Sequence, residues 1–314
     1  MTAMNAKIIK ILTAAMVVLS LAACSHSSTP PPSAHYMEFA DHQGSQVVLA
    51  HKPQNVAVLF SSFADIWTTA GGTVNITVAE SVERGFAPSD AVLVDSGAGK
   101  KINTELLIAS KPDFVICSAD LPAQTETAKL LKEAGIPCAV FRVETFDDYL
   151  STLKICTEIT GNPQLYQTYG TRVQDNIEKL LTEVPPSLAN QKILFIRAGS
   201  GSSATKAKTA QHHFAAAMLK ELGTYNIAEN AKVLLDGLSL EEIITQNPDY
   251  IFISTMGDEA AAKEYIAQVF SQSEWQVLSA VKNEKYYFLP KELFQYKPNA
   301  RWDEAYKYLI DILS

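Results

Sequence analysis

One segment of this chain occurs twice. Asn103-Thr-Glu105-Leu-Leu-Ile-Ala-Ser-Lys-Pro112-Asp113-Phe-Val-Ile lines up with Ser239-Leu-Glu241-Glu-Ile-Ile-Thr-Gln-Asn-Pro248-Asp249-Tyr-Ile-Phe, and the glutamates and the aspartates are each separated by 136 positions. Each copy reads as a cap residue, an acidic first turn and a short helix, then a Pro-Asp break that stops the helix. An apolar, β-branched run follows and reads as a buried strand. A sequence that specifies the same helix-strand unit twice is constrained to two equivalent α/β halves. In the second copy Ser239-x-x-Glu242 has capping-box spacing, which gives Glu242 a local backbone-bonding role. Glu241, in register with Glu105, is then expected to point outward.

The rest of the mature chain supports that division. Strand-like runs at Val56–Phe60, Ile76–Ala79, Phe114–Cys117 and Cys138–Phe141 alternate with amphipathic helical stretches. A second series follows at Ile193–Arg197, Tyr250–Ser254 and Tyr286–Leu289. This alternation is the pattern of parallel sheets covered by helices. Between the series, Asn162–Val184 carries Tyr166, Tyr169, Val173, Ile177, Leu180 and Leu181 on one helical face and ends at Pro185-Pro186. A helix of that length spans about 35 Å. The expected fold class is α/β, with two Rossmann-like lobes joined by one long helix. The expected organisation is a leader over 1–23, a tether over 24–35, a first lobe over 36–160, the joining helix over 161–186 and a second lobe over 187–314.

The leader has a recognisable chemistry. Lys7 and Lys10 precede an uncharged apolar run over 11–23 that is too short to span a bilayer and stops at Leu21-Ala22-Ala23-Cys24. This looks like a lipobox, with Cys24 becoming the lipidated first residue of the mature protein. The polar, Pro-rich stretch through Pro30-Pro31-Pro32 suits a tether. Loss of residues 1–23 removes two lysines and no acid, taking the formal charge from −8 to −10. A nucleic-acid partner is therefore not expected. Cys117, Cys138 and Cys156 remain, an odd number for an exported chain. Buried thiols account for them, and a disulfide between Cys117 and Cys138 stays open.

Catalytic motifs do not survive inspection. Gly199-Ser-Gly201-Ser-Ser-Ala204 matches a dinucleotide fingerprint, but Glu221 lies in a helical stretch rather than at the end of a following strand. Gly99-Lys100 lacks both the upstream glycine and the hydroxyl residue of a phosphate loop, and no G-x-S-x-G elbow exists. An enzyme is not expected. The histidines, at 26, 35, 42, 51, 212 and 213, are too few and too scattered for a dedicated bare-metal site. His212-His213, at a helix start, reads as a solvated terminus.

The lipobox, the Pro53-Gln-Asn55 before the first strand, the paired Glu-x6-Pro-Asp units, the joining helix and Phe294-Gln-Tyr-Lys-Pro-Asn-Ala-Arg301-Trp302 together resemble the substrate-binding proteins of ABC importers for ferric siderophores, haem and cobalamin. The resemblance implies the class III periplasmic-binding-protein fold, an extracytoplasmic monomer held to the membrane by lipid, and a ligand in the cleft between lobes that move little. It also implies docking to a two-fold permease, driven by a cytoplasmic ATPase, through one surface glutamate per lobe: Glu105 and Glu241.

Ligands in open α/β sheets bind beyond the carboxyl ends of the strands. That rule selects Ser61 and Ser62, Arg84 and Phe86, Arg197, and the loop carrying Lys206 and Lys208. Tyr296, Lys297, Arg301 and Trp302 at the start of the last helix add cations and aromatic surface. Lys206 and Lys208 could equally be solvated, and Trp302 could equally pack the last helix onto its lobe. The set suits a large anionic ligand with flat or apolar faces, a ferric siderophore in the first place and a corrinoid or haem in the second. Such a chelate is cargo, and no resident cofactor or protein-held metal is expected. A lipid-anchored sensor of similar descent, without transport, is the reading from another class.

Overall fold

The computed structural model describes residues 35–95 and 101–314. Cys24, the leader and most of the tether lie outside the described residues. The described chain opens with a hairpin, β1 (Met37–Ala40) antiparallel to β2 (Gln46–Leu49). Asp41 closes its turn by accepting from the backbone N–H groups of Gln43 and Ser45. Its other oxygen accepts from Val140, tying the hairpin to the first lobe.

That lobe is a five-stranded parallel sheet of β3 (Val56–Val58), β4 (Ile76–Thr77), β5 (Val92–Leu93), β6 (Phe114–Ser118) and β7 (Cys138–Phe141), in the order β5-β4-β3-β6-β7. Helices α1 (Ser61–Thr69), α2 (Ala79–Glu83), α3 (Thr104–Ala109), α4 (Pro122–Glu133) and α5 (Phe146–Thr160) alternate with the strands. The first two expected strands are shorter than the sequence suggests. Val56–Phe60 stops at Val58, because α1 begins at Ser61. Ile76–Ala79 stops at Thr77, because Ala79 already opens α2.

Gly161 ends α5 in the left-handed region at φ 72°, where glycine carries no Cβ penalty. The chain then runs as helix from 163 to 182: α6 (Pro163–Tyr166), one π turn (Gln167–Thr171) and α7 (Arg172–Thr182). The expected apolar face is real, with Val173 and Ile177 buried and Tyr166, Tyr169, Leu180 and Leu181 packed beside them.

The second lobe is built on β8 (Lys192–Ala198), β9 (Lys206–Ala207), β10 (Tyr225–Asn226), β11 (Tyr250–Thr255) and β12 (Tyr286–Phe288). The parallel order is β10-β8-β11-β12, with β9 antiparallel on the end of β8. Its helices are α8 (Phe214–Glu221), α9 (Val233–Asp236), α10 (Leu240–Gln246), α11 (Glu259–Phe270), α12 (Ser279–Lys282) and α13 (Lys291–Phe294), ending with α14 (Trp302–Leu313).

The sequence repeat is a structural one. Lys111 and Asn247, also 136 apart, both take left-handed conformations at φ 51° and 43° and end α3 and α10. Asp113 accepts from the N–H groups of Gln54 and Asn55 at the entry to β3. Asp249 accepts from Lys192 N–H at the entry to β8. Each aspartate thus locks the strand beside its own.

Of the three apolar clusters among the described residues, two each lie within one lobe and one runs through both. It joins Phe114, Phe141 and Tyr149 to Phe195, Phe214 and Phe252, through Val173 and Ile177 and through Trp302 and Leu309 of α14. Turning one lobe against the other therefore means breaking dense packing rather than bending a free linker.

Candidate functional site

In each sheet the strand order reverses between two central neighbours, β3 and β6 in the first lobe and β8 and β11 in the second. Ligands of open α/β sheets bind at such reversal points, beyond the carboxyl ends of the strands. A cavity of about 310 Å³ occupies that position between the lobes. Asp120 after β6 and Glu144 after β7 form its first-lobe wall, and Arg197, Ser254 and Thr255 project from the ends of β8 and β11. Gln295, Lys297, His212, His213 and Phe214 complete the lining.

The cavity lining holds two cations, Arg197 and Lys297, and two carboxylates, Asp120 and Glu144, and two further cations outside that lining stand beside Arg197. Lys206 sits opposite Arg197 in the β8–β9 ladder, and Lys208 lies two residues on, hence on the same face. Burial lowers the pKa of Arg197. Burial, followed by the charges of Arg197 and Lys206, lowers that of Lys208. Among the described residues no carboxylate forms an ion pair with any of these three. Lys297, 18% exposed, lies 4.8 Å from the Phe214 ring centre and reaches across the cleft to Glu144 at 3.1 Å. Asp120 is engaged by Arg142 at 2.9 Å.

His213 is the residue that sequence reasoning placed least well. Its side chain accepts from Ala215 N–H and caps α8, while its ring stacks on Phe214 at 4.9 Å and lies 4.7 Å from Phe195. Burial, then the charges of Lys297, Arg197 and Lys208, push its pKa down to about 3. It is a neutral structural cap rather than a solvated terminus, although His212 beside it is exposed.

A second cation group lies apart from the Arg197 cavity. The Arg84 guanidinium lies 4.7 Å from the ring centre of Phe86 and 3.7 Å from that of Tyr296, and it donates to Ser61 Oγ at 2.9 Å. Arg84 therefore bridges the two lobes, with its charge held against rings and a hydroxyl. Ser62 is buried rather than open to the cleft. Asn299, in the left-handed region at φ 51°, donates from Nδ2 to Ser62 O at 3.0 Å and to Asp65 Oδ2 at 2.8 Å. Burial raises the pKa of Asp65 against the lowering effects of Asn299, Arg84 and Arg301.

The single cationic cluster expected from sequence is thus two groups, with residues 295–297 running between them. Two of its members are placed otherwise. Trp302 is 2% exposed and wedged between Phe146 of the first lobe and Phe214 of the second, which makes it core rather than a ligand contact. Its position at a helix start hid this, because the partners that bury it come from α5 and α8. Arg301 is exposed and paired with Glu304 of its own helix at 2.8 Å, outside the cavity lining. The glycine-rich stretch Gly199–Ala204 leads into β9 and not a helix. A Cβ on Gly199 would meet the Ala204 Cβ at 2.5 Å, so the glycine permits a tight turn.

Glu105 and Glu241 are exposed in the first turns of α3 and α10. Asn103 caps α3 through the Leu106 N–H. The capping box expected at Ser239 is absent: Ser239 makes no side-chain cap, and Glu242 instead accepts from Gln246 one turn on.

The periplasmic binding protein family matches residues 56–293. The chain belongs to that family. It is a solute-binding component of an ABC importer, working outside the cytoplasm. It is 23% identical over 278 residues to the molybdate-binding protein MolA of Haemophilus influenzae, covering 80% of this chain and 74% of the other. It is 24% identical over 221 residues to the vitamin B12-binding protein of Vibrio cholerae, covering 70% of this chain and 75% of the other. A periplasmic solute-binding protein of Veillonella parvula superposes with a TM-score of 0.68 at 20% identity, covering 88% of this chain and 85% of that one. SirA of Staphylococcus aureus, complexed with staphyloferrin B, superposes with a TM-score of 0.65 at 19% identity, covering 88% and 97%. These superpositions establish the class III fold.

Proposed function

We propose that this binding protein captures a compact, anionic ferric siderophore in the Arg197 cavity and hands it to its permease. The observation that carries the reading is the set of Arg197, Lys206 and Lys208 at the strand ends of the second lobe. They have no ion-pair partner among the described residues; Arg197 lines the cavity with Lys297, and Lys206 and Lys208 stand beside Arg197 on and just after β9. Three unpaired cations crowded at one cleft repel one another, and an anion that enters relieves that repulsion while gaining charged hydrogen bonds. A cavity of about 310 Å³ is at the small end of the usual range for ligand sites. This favours a folded polycarboxylate chelate over a tetrapyrrole plane. A corrinoid or haem is the runner-up. An oxyanion such as molybdate, named for one relative, would use the same cations.

In this reading Cys24 carries the lipid, residues 24–35 tether the lobes, and Glu105 with Glu241 dock into basic sockets on a two-fold permease. Exposed Leu106 and Ile108 beside Glu105, and exposed Ile244 beside Glu241, add apolar contact area around each carboxylate.

Titration against ferric citrate-type siderophores, haem, cobalamin and molybdate tests the cargo. Trp302 reports on it, because it packs on Phe214 of the cavity wall. Saturable quenching by a siderophore alone supports the proposal. Tightest binding by haem, cobalamin or molybdate replaces it.

A further inference from the structure

Cys117 and Cys138 lie on the neighbouring parallel strands β6 and β7. The register pairs Val115 with Cys138 and Cys117 with Val140. Alternate residues of a strand share a face, so both thiols point to the same side of the sheet, in the apolar layer with Leu131 of α4. They are diagonal neighbours there, with Sγ atoms 3.4 Å apart. A disulfide bond is about 2.05 Å long, so closing it requires roughly 1.4 Å of sulfur movement. Diagonal neighbours on adjacent strands lie about 7 to 8 Å apart, at the upper limit of disulfide geometry, so closure combines side-chain rotation with a small approach of β7 to β6.

Access to the two sulfurs differs. Cys117 is fully buried. Cys138 is half-buried and lines a cavity of about 420 Å³ with Ile136 and Pro137, roofed by Gln46 and Val48 of the β1–β2 hairpin. An external reagent therefore reaches Cys138 first and finds Cys117 directly behind it. The thiol contact with Cys138, and then burial, hold Cys117 protonated well above the usual thiol range. That suits a resolving thiol which reacts only when its neighbour has been activated. Cys156, buried in α5, has its pKa pushed up to about 12 by burial.

We propose that Cys117 and Cys138 form a disulfide in the exported protein, by exchange with a disulfide-bearing oxidant entering beside Cys138. The Cys138 thiolate attacks one sulfur of the oxidant, forming a mixed disulfide and expelling the other sulfur as a thiolate, which takes up a proton. Cys117 then gives its proton to solvent and attacks Cys138 Sγ. The mixed disulfide breaks, and the second oxidant thiol leaves with a proton. Two protein thiols are oxidised, and one external disulfide is reduced to two thiols. The bridge encloses the 20 residues between the cysteines, which carry α4. It also joins the two strands that lead to Asp120 and Glu144 on the cavity wall.

The test uses the full exported chain purified without reductant, denatured in N-ethylmaleimide and analysed by intact mass and peptide mapping. Among the three cysteines of the lobes, only Cys156 is expected to be alkylated, with all three alkylated after reduction. In the Cys138→Ser variant, Cys117 should alkylate without reductant. Reduction of the parent should lower its melting temperature by about 5 °C or more, since a bridge of this loop size constrains the unfolded chain. Three alkylated lobe cysteines without reductant, a bridge to Cys156, or a lasting mixed disulfide on Cys138 with Cys117 free would each overturn the assignment.

Discussion

Replacing Asn299 by alanine should destabilise the protein by about 3 to 4 kcal/mol, and the structure divides that loss into two separable parts. The Asn299 amide donates to the partly buried Asp65 carboxylate at 2.8 Å and to Ser62 O at 3.0 Å, joining the second lobe to α1 of the first. Losing a hydrogen bond to a charged acceptor costs about 1.5 to 3 kcal/mol. The residue also sits at φ 51°, where alanine costs about 1 to 2 kcal/mol that glycine does not. Asn299→Gly should therefore recover part of the deficit, leaving a loss of about 2 kcal/mol. Urea unfolding followed by ellipticity measures both variants, with unchanged slopes as the check that only stability moved. Burial already holds Asp65 above the usual carboxylate range. Without its donor it should climb further, so the alanine deficit should shrink as pH falls and Asp65 becomes protonated. A deficit that stays constant between pH 7 and 4, or alanine and glycine variants that agree within about 0.5 kcal/mol, would refute this account of the brace.

Three further outcomes are expected. His213, with its pKa pushed down to about 3, stays neutral in the fold at pH values where it would charge in the unfolded chain. Its contribution is complete above about pH 6.5 and is lost as pH falls from there toward 3, by no more than about 5 kcal/mol; a His213→Asn variant whose melting temperature falls as steeply over that window as the parent's would contradict this. Arg197→Ala should weaken binding of whichever chelate saturates the parent by about 1.5 to 3 kcal/mol, whereas Arg301→Ala should change it little; calorimetric titration showing the reverse order would move the site. Glu105→Arg combined with Glu241→Arg should abolish uptake while changing ligand affinity less than about threefold, since a helix-end charge is worth only about 0.3 to 1 kcal/mol; radiolabelled uptake at the parental rate would remove both from docking.

The parts of the fold that were legible in sequence are those with strong, local signals. Buried runs such as Tyr250-Ile-Phe-Ile-Ser, set off by Pro248-Asp249, give a strand whose entry is also specified. The β1–β2 hairpin escaped notice because each strand has four residues with alternate burial and follows directly on the tether. β9 and β10, of two residues each, exist only because β8 is beside them. In the site, the strand-end rule found Arg197, and applied consistently it would have found Ser254 and Thr255 as well. Asp120, Glu144 and Gln295 come from three separate loops and meet only through tertiary packing. Trp302 and Arg301 were misplaced for the converse reason: neighbours distant in sequence decide whether a cation or ring at a helix start turns inward or outward.

The π turn in the joining helix has a consequence for how this protein can vary. One π turn accommodates one residue more than an α turn, and each residue of helix contributes about 100° of rotation and 1.5 Å of rise. Deleting a single residue at Gln167–Thr171 would swing Val173 and Ile177 about 100° away from the core. It would also separate Asn176 from Asp303 of α14, to which it now donates at 2.7 Å. Gly170 fixes the same phase sterically, since a Cβ there would lie 3.1 Å from Leu150 and 3.2 Å from Tyr166. Insertions and deletions should therefore accumulate in the loops of either lobe and be purged from this helix, because the angle at which the two halves face each other is stored as a residue count.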